Sequence, residues 1–390
     1  MPDVLQAAWM ARDDLRDLVS ALGPDNARYV GGAVRDTLLG LPVKDIDMAT
    51  VLTPDQVIAQ LDAAGIRTVP TGIAHGTVTA VLPGGPVEIT TLRHDVSTDG
   101  RRATVAFAQD WREDAARRDF TINALYADPL TGEIFDWFGG LDDLAARRVR
   151  FIGDARQRIR EDHLRILRYF RFQARFGSSP ADAEAESACA DLAATLKGLS
   201  RERVGMETMN LLGLPDPAPT IDRMAQLGVL AVILPEAKVT GLAALVAQER
   251  AQGIAPDPVR RLAALLPCRP AVAEQVAARF RLPNAQKKRL ALAAGREDGP
   301  HDPRALAYRL GRDAALDRLL LAGHDASAIL DWTPPALPLS GGQIVARGVS
   351  AGPEVARILR AVEARWIAEG FPDAPRVAAL LDEELGGACP

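Results

Sequence analysis

Cysteine is nearly absent from this chain: there are three in 390 residues, at positions 189, 268 and 389. They are odd in number, scattered and without metal-ligand spacing, which excludes a cysteine metal site and makes a reducing cytoplasm the simplest home. Long apolar runs are missing too. No stretch approaches the ~20 residues needed to span a bilayer, which excludes a membrane partner through a transmembrane helix. The N-terminal region carries Asp13 and Asp14 and no apolar core of signal-peptide length, which argues against secretion. Aromatic residues make up only 5 % against 48 % hydrophobic, with Ala and Leu dominating the second half. That composition suits a chain that becomes more helical toward its C-terminus, and its length is that of two to four domains. A basic balance is also missing. The net charge of −5 by itself argues against a nucleic-acid partner.

The distribution of charge says otherwise. From Arg147 to Arg175 ten arginines stand against Asp154, Glu161 and Asp162, a local excess of +7. A basic block inside an acidic chain is either a solvated helical face or a site for an anion.

Residues 5–22 read as an amphipathic helix. From Arg28 to about Asp136 short β-rich runs alternate with Gly and Pro, with helical patterns at 34–39 and 54–64. Residues 77–82 and 87–92 flank a Pro-Gly-Gly-Pro turn and read as a hairpin. Beyond about residue 138 strand signals vanish. Helical patterns follow at 141–146, 154–176, 180–195, 201–212 and 217–228, and breaks at Leu234-Pro235, Leu266-Pro267 and Leu337-Pro338 separate further helices. The fold class is α+β: a small mixed sheet domain in front and an all-α remainder behind.

The most informative stretch is Tyr29-Val30-Gly31-Gly32-Ala33-Val34-Arg35-Asp36, followed nine residues later by Asp45-Ile46-Asp47. It reads as a strand, a glycine pair and a helix start, a geometry that lets backbone N–H groups approach an anion. Alternate strand residues share a face, so Asp45 and Asp47 can converge on one divalent cation. Magnesium takes octahedral oxygen ligands, which two carboxylates and substrate phosphate oxygens supply. Glu88, an acid inside an apolar β run, is the candidate third carboxylate; its alternative is a solvent-facing position on an alternating strand. Arg117 and Arg118 offer forked donors to a triphosphate, Arg118 having an ion pair with Glu113 or Asp114 as its alternative. Asp119 and Asn123, four apart, either brace a helical turn or touch a ribose. A triphosphate cradle beside a carboxylate metal site is the apparatus of nucleotidyl transfer.

In Arg158 to Phe172, a continuous helix places Glu161, Arg165 and Arg168 along one face with Asp162 on an adjoining stripe. An intrahelical salt-bridge ladder is one reading. The other is base selection: cytosine and adenine each present an N–H donor beside a ring acceptor, and uracil and guanine reverse that order. One acceptor, Asp162, beside one donor, Arg165, accepts C and A and refuses U and G. Arg168 and Arg171 remain for phosphates.

These residues resemble the tRNA nucleotidyltransferase/poly(A) polymerase family, most closely its bacterial and eukaryotic class of CCA-adding enzymes. The resemblance rests on Val30 to Asp36 with Asp45-Ile46-Asp47, Arg117 to Ala124, Asp136 with Gly140 to Leu144, Glu161 to Arg165 with Arg168 and Arg171, and Ser200-Arg201-Glu202-Arg203. It implies a polymerase-β-like head (1–138), a helical neck for nucleotide selection (139–212), a helical body (213–330) and a helical tail contacting tRNA (331–390). It implies template-independent addition of C, C and A to the tRNA 3′ end from CTP and ATP, with Asp45 and Asp47 on Mg2+ and Gly31, Gly32, Arg35, Arg117, Arg118, Asp162, Arg165, Arg168 and Arg171 on the nucleotide. Glu207 is followed by Asn210 where the family usually shows lysine. Neither a protein partner nor a membrane is expected. A poly(A) polymerase, an A-adding-only enzyme and an inactive RNA-binding relative share most of these motifs; Asp382-Glu383-Glu384 favours the tRNA enzyme over a polymerase with a basic C-terminal extension. A cluster at Arg279, Arg281, Lys287, Lys288 and Arg289 is a candidate grip on the tRNA stem, or a solvated helix end.

Overall fold

A computed structural model describes residues 4–99, 102–108, 110–296 and 302–386, so Cys389 lies outside the described residues. The chain forms two compact units, Met1–Pro235 and Glu236–Pro390. The boundary falls at the Leu234-Pro235 break.

The first unit opens with α1 (Asp13–Leu22) after a short 3-10 turn at Ala8–Ala11, so the first helix starts later than the amphipathic pattern suggested. Leu15, Leu18, Val19 and Leu22 bury its apolar stripe at the i, i+3, i+4, i+7 spacing. Seven strands follow in the spatial order β3-β4-β5-β2-β1-β8-β9. They are β1 (Ala27–Val30), β2 (Ile46–Thr50), β3 (Thr68–Gly72), β4 (Thr77–Leu82), β5 (Gly85–Thr91), β8 (Tyr126–Ala127) and β9 (Ile134–Phe135); β6 (Arg93–Asp99) and β7 (Arg102–Phe107) pair as a separate ribbon. The expected hairpin is β4–β5, antiparallel with Val78 opposite Ile89. The β2–β5 pair is parallel, which makes the sheet mixed.

Between strands lie α2 (Gly32–Leu38), α3 (Pro54–Ala63) and α4 (Trp111–Ala116). Thr53 and Gln56 close a reciprocal capping box on α3, which fixes where it begins. After β9 the first unit is helical: α5 (Gly140–Ala145), α6 (Ala155–Glu161), α7 (Arg165–Phe176), α8 (Ala183–Leu192), α9 (Arg201–Leu212), α10 (Ala218–Gln226) and α11 (Val229–Ile233). Asp154 and Asp182 cap α6 and α8 through the backbone N–H groups of Gln157 and Ala185. An aromatic cluster ties these helices to the sheet domain. Phe120 packs against Phe151, Tyr169 and Phe172, with ring centroids 5.0, 6.3 and 5.1 Å away.

The expected single helix 154–176 is interrupted. Asp162 is extended (φ −147°, ψ 105°), its Oδ1 accepts from the Leu164 N–H at 3.1 Å, and α7 restarts at Arg165. An aspartate that hydrogen-bonds its own downstream backbone competes with the helix, and here it wins.

Among the described residues of the second unit the regular elements are all helices, joined by loops such as 331–340. Its buried polar centre joins Arg260 to Glu249 and Asp317 and Arg261 to Glu249, while a separate apolar cluster surrounds Trp366.

Candidate active site

Sheet register sets the acidic group. In the parallel β2–β5 pair Asp47 lies directly beside Glu88, and both sit between buried neighbours, Ile46 and Met48 on one strand and Val87 and Ile89 on the other. Asp47 and Glu88 therefore project from the opposite face of the sheet, and Asp45 stands just before β2. The Asp47 carboxyl is pushed up to about 6, first by burial and then by the negative charge of Glu88, with Arg118 opposing and Asp45 adding to the rise. These are hard oxygen donors whose mutual repulsion a hard divalent cation relieves, so the residues fit such an ion. Among the described residues no three His, Cys, Asp or Glu side chains form a ready metal cluster.

Opposite the acids lies a bed of arginines. Gly31 joins β1 to α2 at φ +67°, a left-handed turn that favours glycine, and the Arg118 Nη1 lies in van der Waals reach of where a Cβ would stand. Arg118 is anchored from behind: its Nε donates to the Tyr126 hydroxyl at 2.9 Å and its Nη2 to Asp114 at 3.1 Å, while Tyr126 donates to the same carboxylate at 2.6 Å. Burial opposes the Arg118 charge, but Tyr126 and Asp114 more than offset it and leave its pKa raised. The sequence alternative of an Arg118–Asp114 ion pair is thus present and is what orients the guanidinium. Arg117 lies 3.9 Å from the same Asp114. Arg35 is buried, donates to Asp36 at 2.8 Å and to the Asn123 side chain, and sits 4.2 Å from the Phe176 ring centroid. Asp119 and Asn123 do brace a turn, a 3-10 one at Thr121–Asn123, with the Asn123 amide donating to Asp119 at 2.9 Å.

The break between α6 and α7 builds the third wall. Asp162 Oδ2 accepts from Arg203 of α9 at 2.8 Å. Arg165 donates through Nη1 to Glu161 (2.6 Å) and the Arg158 carbonyl (2.8 Å), and through Nη2 to the Arg117 carbonyl (3.0 Å). Arg168 donates to Asp119 at 2.8 Å, and that carboxylate holds its pKa up. Arg171 donates to Glu207 at 2.6 Å. Glu207 is only 3 % exposed, whereas Asn210 is exposed, so the departure from lysine falls on an outward position of α9.

One cavity of about 580 Å3 in the first unit brings Gly31, Gly32, Arg35, Asp47, Arg117, Arg118, Asp162, Arg165 and Arg168 together. Asp45 and Glu88 flank it through Asp47, and Arg171 stands behind its wall on Glu207. Arg203, Met206 and Glu207 also line it. Of these three, Arg203 and Glu207 belong to the resemblance's motif, whereas Met206 has no signal in the sequence beyond its i+3 spacing from Arg203. In the second unit two members of the basic cluster are committed to carboxylates: Arg279 forks onto Glu236, and Arg289 binds Asp317 and Asp257.

Residues 27–150 match the family model for the poly A polymerase head domain, and residues 182–240 match that described as the probable RNA and SrmB-binding site of polymerase A. The chain is 34 % identical over 380 residues to the mouse CCA tRNA nucleotidyltransferase 1, mitochondrial, covering 92 % of this chain and 87 % of that protein. It is 36 % identical over 363 residues to the human protein of the same name, covering 88 % and 83 %. The crystal structure of the Bacillus stearothermophilus CCA-adding enzyme in complex with CTP superposes with a TM-score of 0.71 at 26 % identity, over 96 % of this chain and 98 % of that one.

Proposed function

This chain belongs to the CCA tRNA nucleotidyltransferase family, and we propose that it adds C, C and A in turn to the 3′ end of tRNA from CTP and ATP, releasing pyrophosphate and using no nucleic-acid template. The fold is a polymerase-β-like head followed by all-α segments, read as the neck (139–212), body (213–330) and tail (331–390).

The observation that carries the reading is one cavity on which Asp47, a bed of guanidiniums and the Asp162–Arg165 acceptor–donor pair converge. Arg35, Arg117 and Arg118 bind the triphosphate and hold its α-phosphate toward Asp47. Asp162 uses one lone pair on Leu164 and one on Arg203, which leaves acceptor capacity for the exocyclic amino group of C or A. Arg165 keeps its Nε–H and one Nη2 hydrogen for the adjacent ring nitrogen. Asp45 and Asp47, with Glu88 beside them, hold magnesium, for which the all-oxygen donor set speaks. When bound, the ion supplies charge neutralisation at the transferring phosphoryl group and acidifies the attacking 3′ hydroxyl. The scattered cysteines support a reducing, cytoplasmic setting; among the described residues no helix is long and apolar enough to cross a membrane.

Incubating the chain with tRNA lacking CCA, CTP, ATP and Mg2+ tests the reading by product length. Growth that stops after C, C and A supports it. Long A tracts formed without CTP would make the chain a poly(A) polymerase, and no growth at all would leave an inactive relative.

A further inference from the structure

Hydrogen bonds to a base edge settle which base enters, but they leave both faces of the ring to be covered. The apolar side chains among the described residues lining the cavity are Leu164, Phe172 and Met206. Leu164 is buried. Phe172 is 6 % exposed, and the guanidiniums of Arg171 and Arg35 lie 4.8 and 5.3 Å from its ring centroid. Met206 is different: it is 53 % exposed inside an otherwise charged cleft. It stands one turn along α9 from Arg203, whose guanidinium holds the Asp162 carboxylate.

From this placement we infer that Met206 is a base platform: its thioether packs on the face of the incoming cytosine or adenine while Asp162 and Arg165 read the edge. This rests on the nucleotide reading of the cavity given above. A thioether suits two bases of different size because it is polarisable, unbranched and able to follow either ring. A rigid aromatic wall would fix one ring position, whereas C and A must bring different ring atoms to the same acceptor–donor pair.

The test measures equilibrium binding of CTP, ATP and inorganic tripolyphosphate to the full chain in Mg2+, for the parent, Met206→Ala and Met206→Leu. Met206→Ala is expected to weaken CTP and ATP about 3- to 10-fold, toward the upper part of what a sulfur–aromatic contact contributes. Tripolyphosphate, which has no base, keeps its affinity, and Met206→Leu stays within about twofold of the parent for both nucleotides. In addition assays the KM for both nucleotides rises with little change in kcat. Equal weakening of tripolyphosphate, unchanged CTP and ATP affinity, or an effect confined to the KM for RNA would each overturn the platform. A parent chain that binds neither nucleotide overturns the underlying reading instead, and the parent arm alone reveals that.

Discussion

Asp47→Asn is expected to inactivate the protein and, without metal, to make it more stable. In the folded chain the Asp47 carboxyl is displaced from 3.8 to about 6 by burial, Glu88 and Asp45. A carboxyl raised on folding binds its proton more tightly in the native state, so the native state is favoured below 3.8 and loses stability as pH rises toward 6. Above 6 the penalty is complete. At about 1.4 kcal/mol per tenfold change the displacement corresponds to roughly 3 kcal/mol. Asp47 keeps some solvent contact, which reduces this to about 1.5 kcal/mol. For a cooperative unit of about 150–250 residues that is a rise of about 3–6 °C in melting temperature at pH 8 in a chelator. By the same linkage the advantage shrinks by about half at pH 5. Magnesium stabilises the parent by mass action and does little for the variant. Calorimetry of both proteins at the two pH values, with chelator and with Mg2+, decides the matter. A variant no more stable than the parent at pH 8 without metal would refute the reasoning, as would an advantage that fails to shrink at pH 5.

Asp162→Ala should lower the CTP-over-UTP ratio of kcat/KM about 10- to 100-fold, because the site no longer sets an acceptor against the carbonyl of the wrong base; single-nucleotide incorporation kinetics measure it. Arg118→Lys replaces a fork that spans Tyr126 and Asp114 with a point charge, and should raise the KM for both nucleotides about tenfold. Asp119→Ala strips Arg168 and Asn123 of a shared partner and should destabilise the first unit by about 2–3 kcal/mol, since Arg168 is about a third exposed; a denaturant titration reads this.

Local rules governed what was legible. The β1–Gly31–α2 unit, the β4–β5 hairpin and α9 from Arg201 to Leu212 follow from alternation, turn residues and 3.6-residue periodicity, all carried within a few positions. The pairing of Asp47 with Glu88 was not legible: it depends on a parallel register across a 40-residue excursion, whereas the solvent-facing strand position that the sequence also offered Glu88 is the one its exposed side chain takes. The break at Asp162 was missed because neither Gly nor Pro marks it. The signal present was an aspartate three residues before the restart, where its side chain can hold a backbone N–H. Asp136 and Asp143 show the opposite lesson. They belong to the motif yet serve the scaffold, Asp136 gathering the N–H groups of Phe138, Gly140 and Leu141, and Asp143 gathering Thr121, Arg148 and Arg150.

The basic block from Arg147 to Arg175 is neither a bare solvated face nor a bare anion trap. Its arginines meet carboxylates brought from elsewhere in the chain: Arg148 and Arg150 meet Asp143, Arg156 meets Asp191, Arg168 meets Asp119, Arg171 meets Glu207 and Arg175 meets Asp36. An anion entering this wall must therefore compete with protein carboxylates already within hydrogen-bond distance. A loose polyanion gains little from such an exchange, because each guanidinium it captures leaves an acid behind in a partly buried place. On the proposed reading a triphosphate gains more, since it would also meet Arg35 and Arg118, whose forks are fixed by Asp36 and by Tyr126 with Asp114, and a metal held by Asp47. The same pairing that hides the positive charge from the chain's net balance thus favours a compact, metal-bound nucleotide over nucleic acid at this wall. It also fixes the rotamers of the side chains proposed to take the place of a template: Asp162 is held from two sides, and Arg165 is held by three acceptors before any base arrives. Selection by protein side chains demands that rigidity, because an acceptor free to rotate would satisfy uracil as well as cytosine.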